Sequence, residues 1–574
     1  MEAPAVGRFR ILALLTIWLV QLAVPGAIAS YSIGVGRADA TGPAAEIVFM
    51  GYAKIDQKGS GIHLRTFSRA FIIDDGEERF VFVSVDSAMI GNGVRQTVLQ
   101  NLEKEFGSLY TEKNVMISAT HSHSTPGGFM LHMLFDITTF GFVQQTFDAM
   151  VKGITKSIQR AHYAIVPGRI FITHGEVHGV NINRSPSAYL NNPKAERDKY
   201  KHDVDKIMTQ IQFIGADNKR LGVINWFAIH PTSMNNTNHL LSSDNVGYAS
   251  ILFEKIMNND SLPGKGQFVA AFASSNLGDV SPNTRGPKCE FSGDNCSEQY
   301  TCPRKKEMCF ASGPGKDMFE STSIIANKIF KESWRLWQYG DAKEVIGPLR
   351  VVHRYVNMVE QTAEYYNETT KRTETIQRYE GASTIFGPHT LTIYLKQYQE
   401  LVTSAILKKD VDPGPTPLDL RKKNLLTFVT PVLFDTPKWG KNFGDCIKQP
   451  PKLAKPGDIV SAVFVAGHPR NNLMTERSYL TIERLSDDEI WVPVATDASW
   501  ETKFQWQRTS MVLGSSQVTI TWQVPEDIKA GEYRIRHNGY YRYILGGIFP
   551  YYGVSNHIQV IPSGLSCCRK LYYE

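Results

Sequence analysis

Between Tyr31 and about Ser404, stretches with the apolar period of a strand alternate with stretches that have the period of a helix. "RFVFVSV" (Arg79 to Val85) is a continuous apolar strand, and "VRQTVLQNLEKEFG" behind it has helical spacing. "NVMISAT", "RLGVINWFAIH" and "QFVAAFASS" read as strands, and "TFDAMVKGITKSIQRAHYAI" and "NVGYASILFEKIM" read as helices. A helix between two strands carries the chain back for a parallel neighbour, so the alternation predicts an α/β domain with a mostly parallel sheet. "KKDVDPGPTPLDLRKKN" (Lys408 to Asn424) interrupts the pattern with proline, glycine and charge. Beyond it, "IVSAVFVAG", "SYLTIERL", "EIWVPVAT", "SQVTITWQVP" and "GEYRIRHNGYYRYI" alternate with a period of two. That texture predicts an all-β, immunoglobulin-like sandwich. A chain of 574 residues exceeds one ordinary core. The expected layout is an α/β domain over 30–410, a linker over 411–424 and a C-terminal sandwich over 425–574.

The N-terminus reads as an export signal. Arg8 and Arg10 precede the apolar run Ile11 to Val24, and small residues Ala27 and Ala29 follow in "PGAIAS". The run is too short for a comfortable bilayer span, so residues 1–29 are expected to be a removed signal peptide, with an uncleaved anchor as the rival. Secretion or exposure at the cell surface follows. Sequons at Asn235, Asn259, Asn295 and Asn367 are candidate glycosylation sites, and that at Asn183 is disfavoured by Pro186. Four of the seven cysteines, Cys289, Cys296, Cys302 and Cys309, crowd one Gly/Pro-rich stretch. Three disulfide connectivities are open, of which Cys289–Cys302 with Cys296–Cys309 is the one we expect. A zinc knuckle is the rival, but it lacks a close C-x-x-C pair. Cys446, Cys567 and Cys568 leave an odd thiol. A net charge of +6 over this length makes no case for a nucleic-acid partner.

Three strand-like runs end in polar motifs. "VMISAT" runs into His121 and His123, "VINWFAI" into His230, and "FVAAFASSN" into "LGDVSPN" with Ser281. In open α/β sheets ligands bind just past the carboxyl ends of strands, so three such ends suggest one composite site. Histidines one residue apart on an extended chain face opposite ways. We therefore expect one of His121 and His123 to ligate a metal, with His230 as a second ligand, and the other to face the substrate. Ser281, on a turn stiffened by Pro282, is either a nucleophile or a turn residue capping Asn283. It lacks the G-x-S-x-G setting of the α/β-hydrolases.

Seven stretches in order resemble the neutral ceramidases: "IGVGRADATGPAAEIVFMGYA", "ATHSHSTPGG", "VNINRSPSAYLNNP", "WFAIHPTSMNN", "NLGDVSPN", "GPGKDMFESTSIIA" and "QRYEGASTIFGPHTL". The resemblance implies zinc-dependent hydrolysis of the N-acyl amide bond of ceramide, giving sphingosine and a free fatty acid. It implies ceramide, in membranes or micelles, as partner. His121 and His230 look like histidine zinc ligands. His123 looks like the catalytic histidine, Arg184 like the active-site arginine, Ser281 like the nucleophile, and Tyr379 like the tyrosine that stabilises the oxyanion.

The chain departs from the family at one point. The resemblance implies two more ligands, a glutamate in Gly-Glu-Phe-Thr and a tyrosine twelve residues before that of "YEGAS". No Gly-Glu-Phe-Thr stretch is present, and twelve residues before Tyr379 stands Asn367. A segment is therefore expected to be missing internally, with its seam near Glu374–Thr375. Glu364, Tyr365 and Tyr366 are poor substitutes, their spacing not being made for the site. A zinc site with two histidines alone would bind weakly. Two alternatives follow: an impaired shortened form that only binds lipid or a partner, and another secreted metallohydrolase, such as a phosphatase, using Asp86 or Asp279.

Overall fold

The computed structural model describes residues 31–130, 133–297, 301–304, 306–354, 362–367, 369–377 and 427–561. The expected signal peptide, the linker, Tyr379, Cys567 and Cys568 lie outside the described residues. The strands that build the N-terminal region are β1 (Tyr31–Asp39), β2 (Ala45–Met50), β3 (Lys58–Ile62), β4 (Phe67–Asp74), β5 (Arg79–Val85) and β6 (Val115–Ala119). They continue with β7 (Thr125–Pro126), β8 (Val166–Glu176), β9 (Ile182–Asn183), β10 (Ile207–Gly215), β11 (Arg220–Phe227), β12 (Val269–Ser274) and β13 (Val280–Ser281). A nine-stranded sheet runs in the order β12-β11-β10-β8-β1-β4-β5-β6, with Lys343–Val345 added beside β8.

The sheet is mixed rather than mostly parallel, which corrects the expectation from sequence. Only β5–β6 and β11–β12 run parallel in it. These are the two places where a helix, Asn92–Phe106 or Asp244–Met257, carries the chain back between adjacent strands. Elsewhere the neighbours are antiparallel, as in the hairpins β4–β5 and β10–β11, whose short turns reverse the chain. The alternation was real, but two helical returns cannot make a parallel sheet when hairpins join the other strands.

The sheet curls back on itself. In its order β4 and β10 are separated by β1 and β8, yet Phe71 and Phe213 stack with ring centroids 5.4 Å apart. Strands in a flat sheet lie about 4.8 Å apart, so this contact requires the two wings to fold face to face. Ile33, Ile224 and Val269 join those rings in one buried cluster. The edge strands therefore meet: Ser274 Oγ, at the end of β12, donates to Thr120 O, just past β6, at 2.8 Å. On the outer face the helix Gln144–Tyr163 lies against β1 and β4. A β-carbon at Gly34 or Gly36 would stand 2.1 or 2.3 Å from the carbonyl oxygens of Ala161 and Ser157, so the "GVG" of β1 is what lets this helix dock.

The C-terminal region contributes two sheets that share one core containing Phe464, Ile482, Trp522 and Ile535. One of them takes in strands from the N-terminal region: Phe504 pairs with Ile62 of β3, and β2 and β7 continue the same sheet. A buried ion triad adds to this joint, Arg65 reaching Asp39 at 2.8 Å and Asp497 at 2.8 Å. Disulfides join Cys289 to Cys302 and Cys296 to Cys309. The hairpin Thr362–Asn367/Arg372–Gln377 belongs to a separate compact unit and carries Glu364, Tyr365, Tyr366 and Asn367.

Candidate active site

The two parallel strand pairs deliver the site. Past β6 the chain leaves the extended conformation: His121 has φ of 75°, a left-handed backbone unusual for a residue with a side chain. Its N–H and that of Ser122 both donate to Ser87 O, at 2.9 and 3.1 Å, tying this loop to the end of β5. The left-handed residue cancels the alternation assumed from sequence, and both histidines of "HSH" face one point. His123 Nε2 lies 3.1 Å from His121 Nε2. His230, three residues past β11, completes the group, its ring centroid 4.8 Å from His121 and 5.2 Å from His123. The ligand nitrogens of His121, His123 and His230 all lie within 4.8 Å of one another.

The second nitrogen of two rings is spoken for. His121 Nδ1–H donates to Ala88 O at 2.6 Å, and His230 Nδ1–H donates to Leu277 O at 2.9 Å. Each bond fixes the tautomer that turns an Nε2 lone pair inward, the arrangement typical of metal-ligating histidine. Burial, reinforced by Arg184 and, at His123 and His230, by a neighbouring imidazole, pushes the pKa of all three imidazoles down, to about 4 for His230. Neutral imidazoles are the ligating form. His123 Nδ1 is buried with no hydrogen-bond partner. This donor set fits a divalent cation that favours nitrogen, zinc among them.

Around this centre the structure places other residues singled out from sequence. β9 and β13 form a two-rung ladder, Asn183 opposite Val280 and Ile182 opposite Ser281. Arg184 N–H donates to Asp279 O at 2.8 Å, so Arg184 and Ser281 are brought together from positions nearly a hundred residues apart. Arg184 is exposed, and its charge reaches all three imidazoles. Ser281 Oγ accepts the Asn283 N–H at 3.2 Å, the capping contact of a turn serine. Asp86 is not at the centre: it pairs with Arg69 at 2.9 Å inside the fold. That removes one carboxylate from the phosphatase-like alternative. Asn235, Asn259 and Asn295 are exposed, and Asn183 is buried.

Sequence reasoning missed the support behind the histidines. Tyr52 packs its ring edge on His123 at 4.6 Å and donates its hydroxyl to Met234 O at 2.8 Å. Gly51 has φ of 125°, and a β-carbon there would stand 2.4 Å from His123 Cγ. Asp244 is fully buried and accepts the N–H groups of Ser233, Met234 and Asn245 at 3.2, 3.0 and 2.7 Å. Asn245 Nδ2 donates to His230 O at 3.2 Å. The signals were present in "FMGYA" and "SSDNVGY", but nothing in their spacing points at a histidine.

Fold and site together define an α/β protein with three histidines gathered beside a serine and an arginine, the frame of a hydrolase whose donor set suits a metal. The chain belongs to the neutral/alkaline non-lysosomal ceramidase family. The model of that family's N-terminal part matches residues 31–375, and that of its C-terminal part matches residues 394–560. It is 38% identical to the neutral ceramidase of Drosophila melanogaster over 680 aligned positions, covering 93% of this chain and 96% of that protein. It is 34% identical to neutral ceramidase B of Dictyostelium discoideum, covering 92% and 94%. Among solved structures, the neutral ceramidase from Pseudomonas aeruginosa superposes with a TM-score of 0.76 at 27% identity, covering 93% of this chain and 100% of that one. A ceramidase complexed with C2 superposes equally, at 26% identity. An alignment of 680 positions is longer than this chain of 574 residues, so the fly relative has residues at positions where this chain has none.

Proposed function

We propose that this chain hydrolyses the N-acyl amide bond of ceramide to sphingosine and a fatty acid, with one zinc ion held by His121 and His230. The observation that carries the reading is the convergence of three neutral imidazoles beside the Arg184–Ser281 ladder. Zinc, when bound, supplies a Lewis acid that polarises the amide carbonyl. His123 presents its Nε2 at the same centre, where it takes or gives a proton as the amide bond opens. Arg184 holds the negative charge that develops on the carbonyl oxygen, assisted by Tyr379. Ser281 is the candidate nucleophile, with water as the rival.

We read the chain as an internally shortened member with its seam near Glu374–Thr375. The end of the N-terminal family match at 375 and the excess alignment length support that reading. The missing Gly-Glu-Phe-Thr and tyrosine stretches favour a second function, an impaired form that binds lipid or a partner without turnover. Residues 425–574 are read as an immunoglobulin-like sandwich, for which the two sheets over one core speak. The leader-like N-terminus and the two disulfides support secretion, with Asn235, Asn259, Asn295 and Asn367 as glycan sites. A glycosidase-sensitive mass shift in the medium of expressing cells tests this.

The central experiment measures fatty-acid release from ceramide by the purified chain with zinc added, beside Ser281→Ala and with metal content determined. Serine-dependent release with about one zinc per chain is expected for the hydrolase. A folded, monodisperse protein that binds no zinc and releases nothing establishes the impaired form.

A further inference from the structure

Six large apolar side chains project from three turns at one end of the C-terminal region. Met511, Val512 and Leu513 form the tip between strands Thr502–Ser510 and Ser515–Gln523, and Val512 is 85% exposed. Ile544 and Leu545 form the tip between Gly531–Arg542 and Ile548–Val554, and Leu545 is 84% exposed. Trp439 is 99% exposed, in the turn "PKWGKN", between exposed Lys438 and Lys441. One segment holds the three turns together. Thr436 N–H donates to Gly514 O at 3.4 Å, Asp435 N–H to Arg542 O at 2.8 Å, and Phe443 stacks on Tyr541 at 4.4 Å. Phe428, itself exposed, donates its N–H to Phe140 O at 2.8 Å, and Phe140 lies in the stretch that continues from the histidine loop.

We infer that this end of the molecule is a membrane-docking surface whose three tips enter the interface of a bilayer containing anionic phospholipid. Three features select that occupant. The apolar groups sit on convex tips, which a fluid acyl layer accommodates and a rigid protein face does not. Trp439 between two lysines is the arrangement favoured where hydrocarbon meets headgroups, the ring at the boundary and the ammonium groups among phosphates. The lysines supply charge that an anionic leaflet complements. No helix among the described residues is long and apolar enough to cross a membrane, so attachment through tips would be peripheral. The choice of a lipid surface rests on the reading of ceramide as substrate.

The test is co-sedimentation of the full chain with phosphatidylcholine vesicles, with and without phosphatidylserine. It is repeated with the triple variant Trp439→Ala, Val512→Asp, Leu545→Asp. Wild type is expected to bind, more tightly with phosphatidylserine, and the variant to lose roughly tenfold or more in affinity, since two charges enter the apolar layer. Zinc content and melting temperature, read on the same samples, are expected to be unchanged. Wild type that ignores vesicles, or a variant that binds as wild type does, overturns the proposal. So does a wild-type dimer that the variant abolishes, because the tips then meet a second copy of the chain. Fatty-acid release is assayed separately in detergent. Vesicle binding without release leaves this surface standing and defeats the hydrolytic reading; release without vesicle binding does the reverse.

Discussion

A single β-carbon at position 51 is enough to disturb the candidate centre. It would meet His123 Cγ at 2.4 Å, on a backbone with φ of 125° that L side chains rarely adopt. Gly51→Ala is expected to cost about 1–3 kcal/mol of stability and to displace the His123 ring. Thermal melts and fatty-acid release read the two effects; with His121 and His230 holding the ion, zinc affinity should change little, and a large loss would make His123 a ligand as well. Asp244 acts one shell further out. Burial raises its carboxyl to about 7, while both oxygens accept backbone N–H groups of the His230 loop. Asp244→Ala leaves those donors unsatisfied and is expected to destabilise by roughly 1–3 kcal/mol. Weaker zinc binding should accompany the loss, whereas a variant that melts lower yet titrates normally would confine Asp244 to the fold. At this scale the sequence singled out His121, His123 and His230 as candidates but not how they face. The left-handed His121 reverses a side chain that strand periodicity would have pointed away, and no pattern in "ATHSHS" announces a positive φ.

The elements show where periodicity ends as a guide. Strands and helices such as Arg79–Val85, Asn92–Phe106 and Asp244–Met257 stand where their apolar spacing put them. Their partners do not follow from that spacing. Antiparallel β1, β4, β8 and β10 fill the middle of the sheet and leave the parallel pairs at its two ends. β3 leaves its own region to pair with Thr502–Ser510, and Arg65 with Asp39 and Asp497 is buried near that joint. Asp497→Ala strands Arg65 with less than its full complement of charge. It is expected to cost about 3–5 kcal/mol, the range for breaking a buried pair by removing one partner. Calorimetry should also give one joint transition rather than two, since the strands of both regions share a sheet. A separate, unshifted melt of the N-terminal region would contradict this.

Across the whole molecule, pH and metal act together. His537 is buried in the C-terminal core, with Nδ1 2.9 Å from Tyr479 O and Nε2 3.0 Å from Tyr551 Oη. Burial pushes its pKa down from the ordinary imidazole value of 6.5 to about 4. The unfolded chain takes up this proton first, so the contribution of neutral His537 is full above about 6.5 and fades as pH falls toward 4. Asp136 and Asp244, both raised to about 7 by burial, act in the opposite direction over about 7 to 4, so the variant comparison isolates the histidine. The melting difference between wild type and His537→Gln is expected to shrink between about pH 7.5 and pH 4.5. A difference that widens would mean that the folded protein holds His537 charged. Chelation of a zinc-loaded sample should lower the melting temperature, because an ion bound only by the folded state stabilises it by mass action. The sequence by itself determined the order of elements, the change to all-β texture and the family, because each is written in local spacing or in short contiguous motifs. Only the tertiary structure decided that the sheet curls until β6 and β12 meet, that "HSH" converges on His230, and that Gly51, Tyr52 and Asp244 stand behind it. Those depend on contacts between residues far apart in the chain, and on one backbone angle, neither of which leaves a period to read.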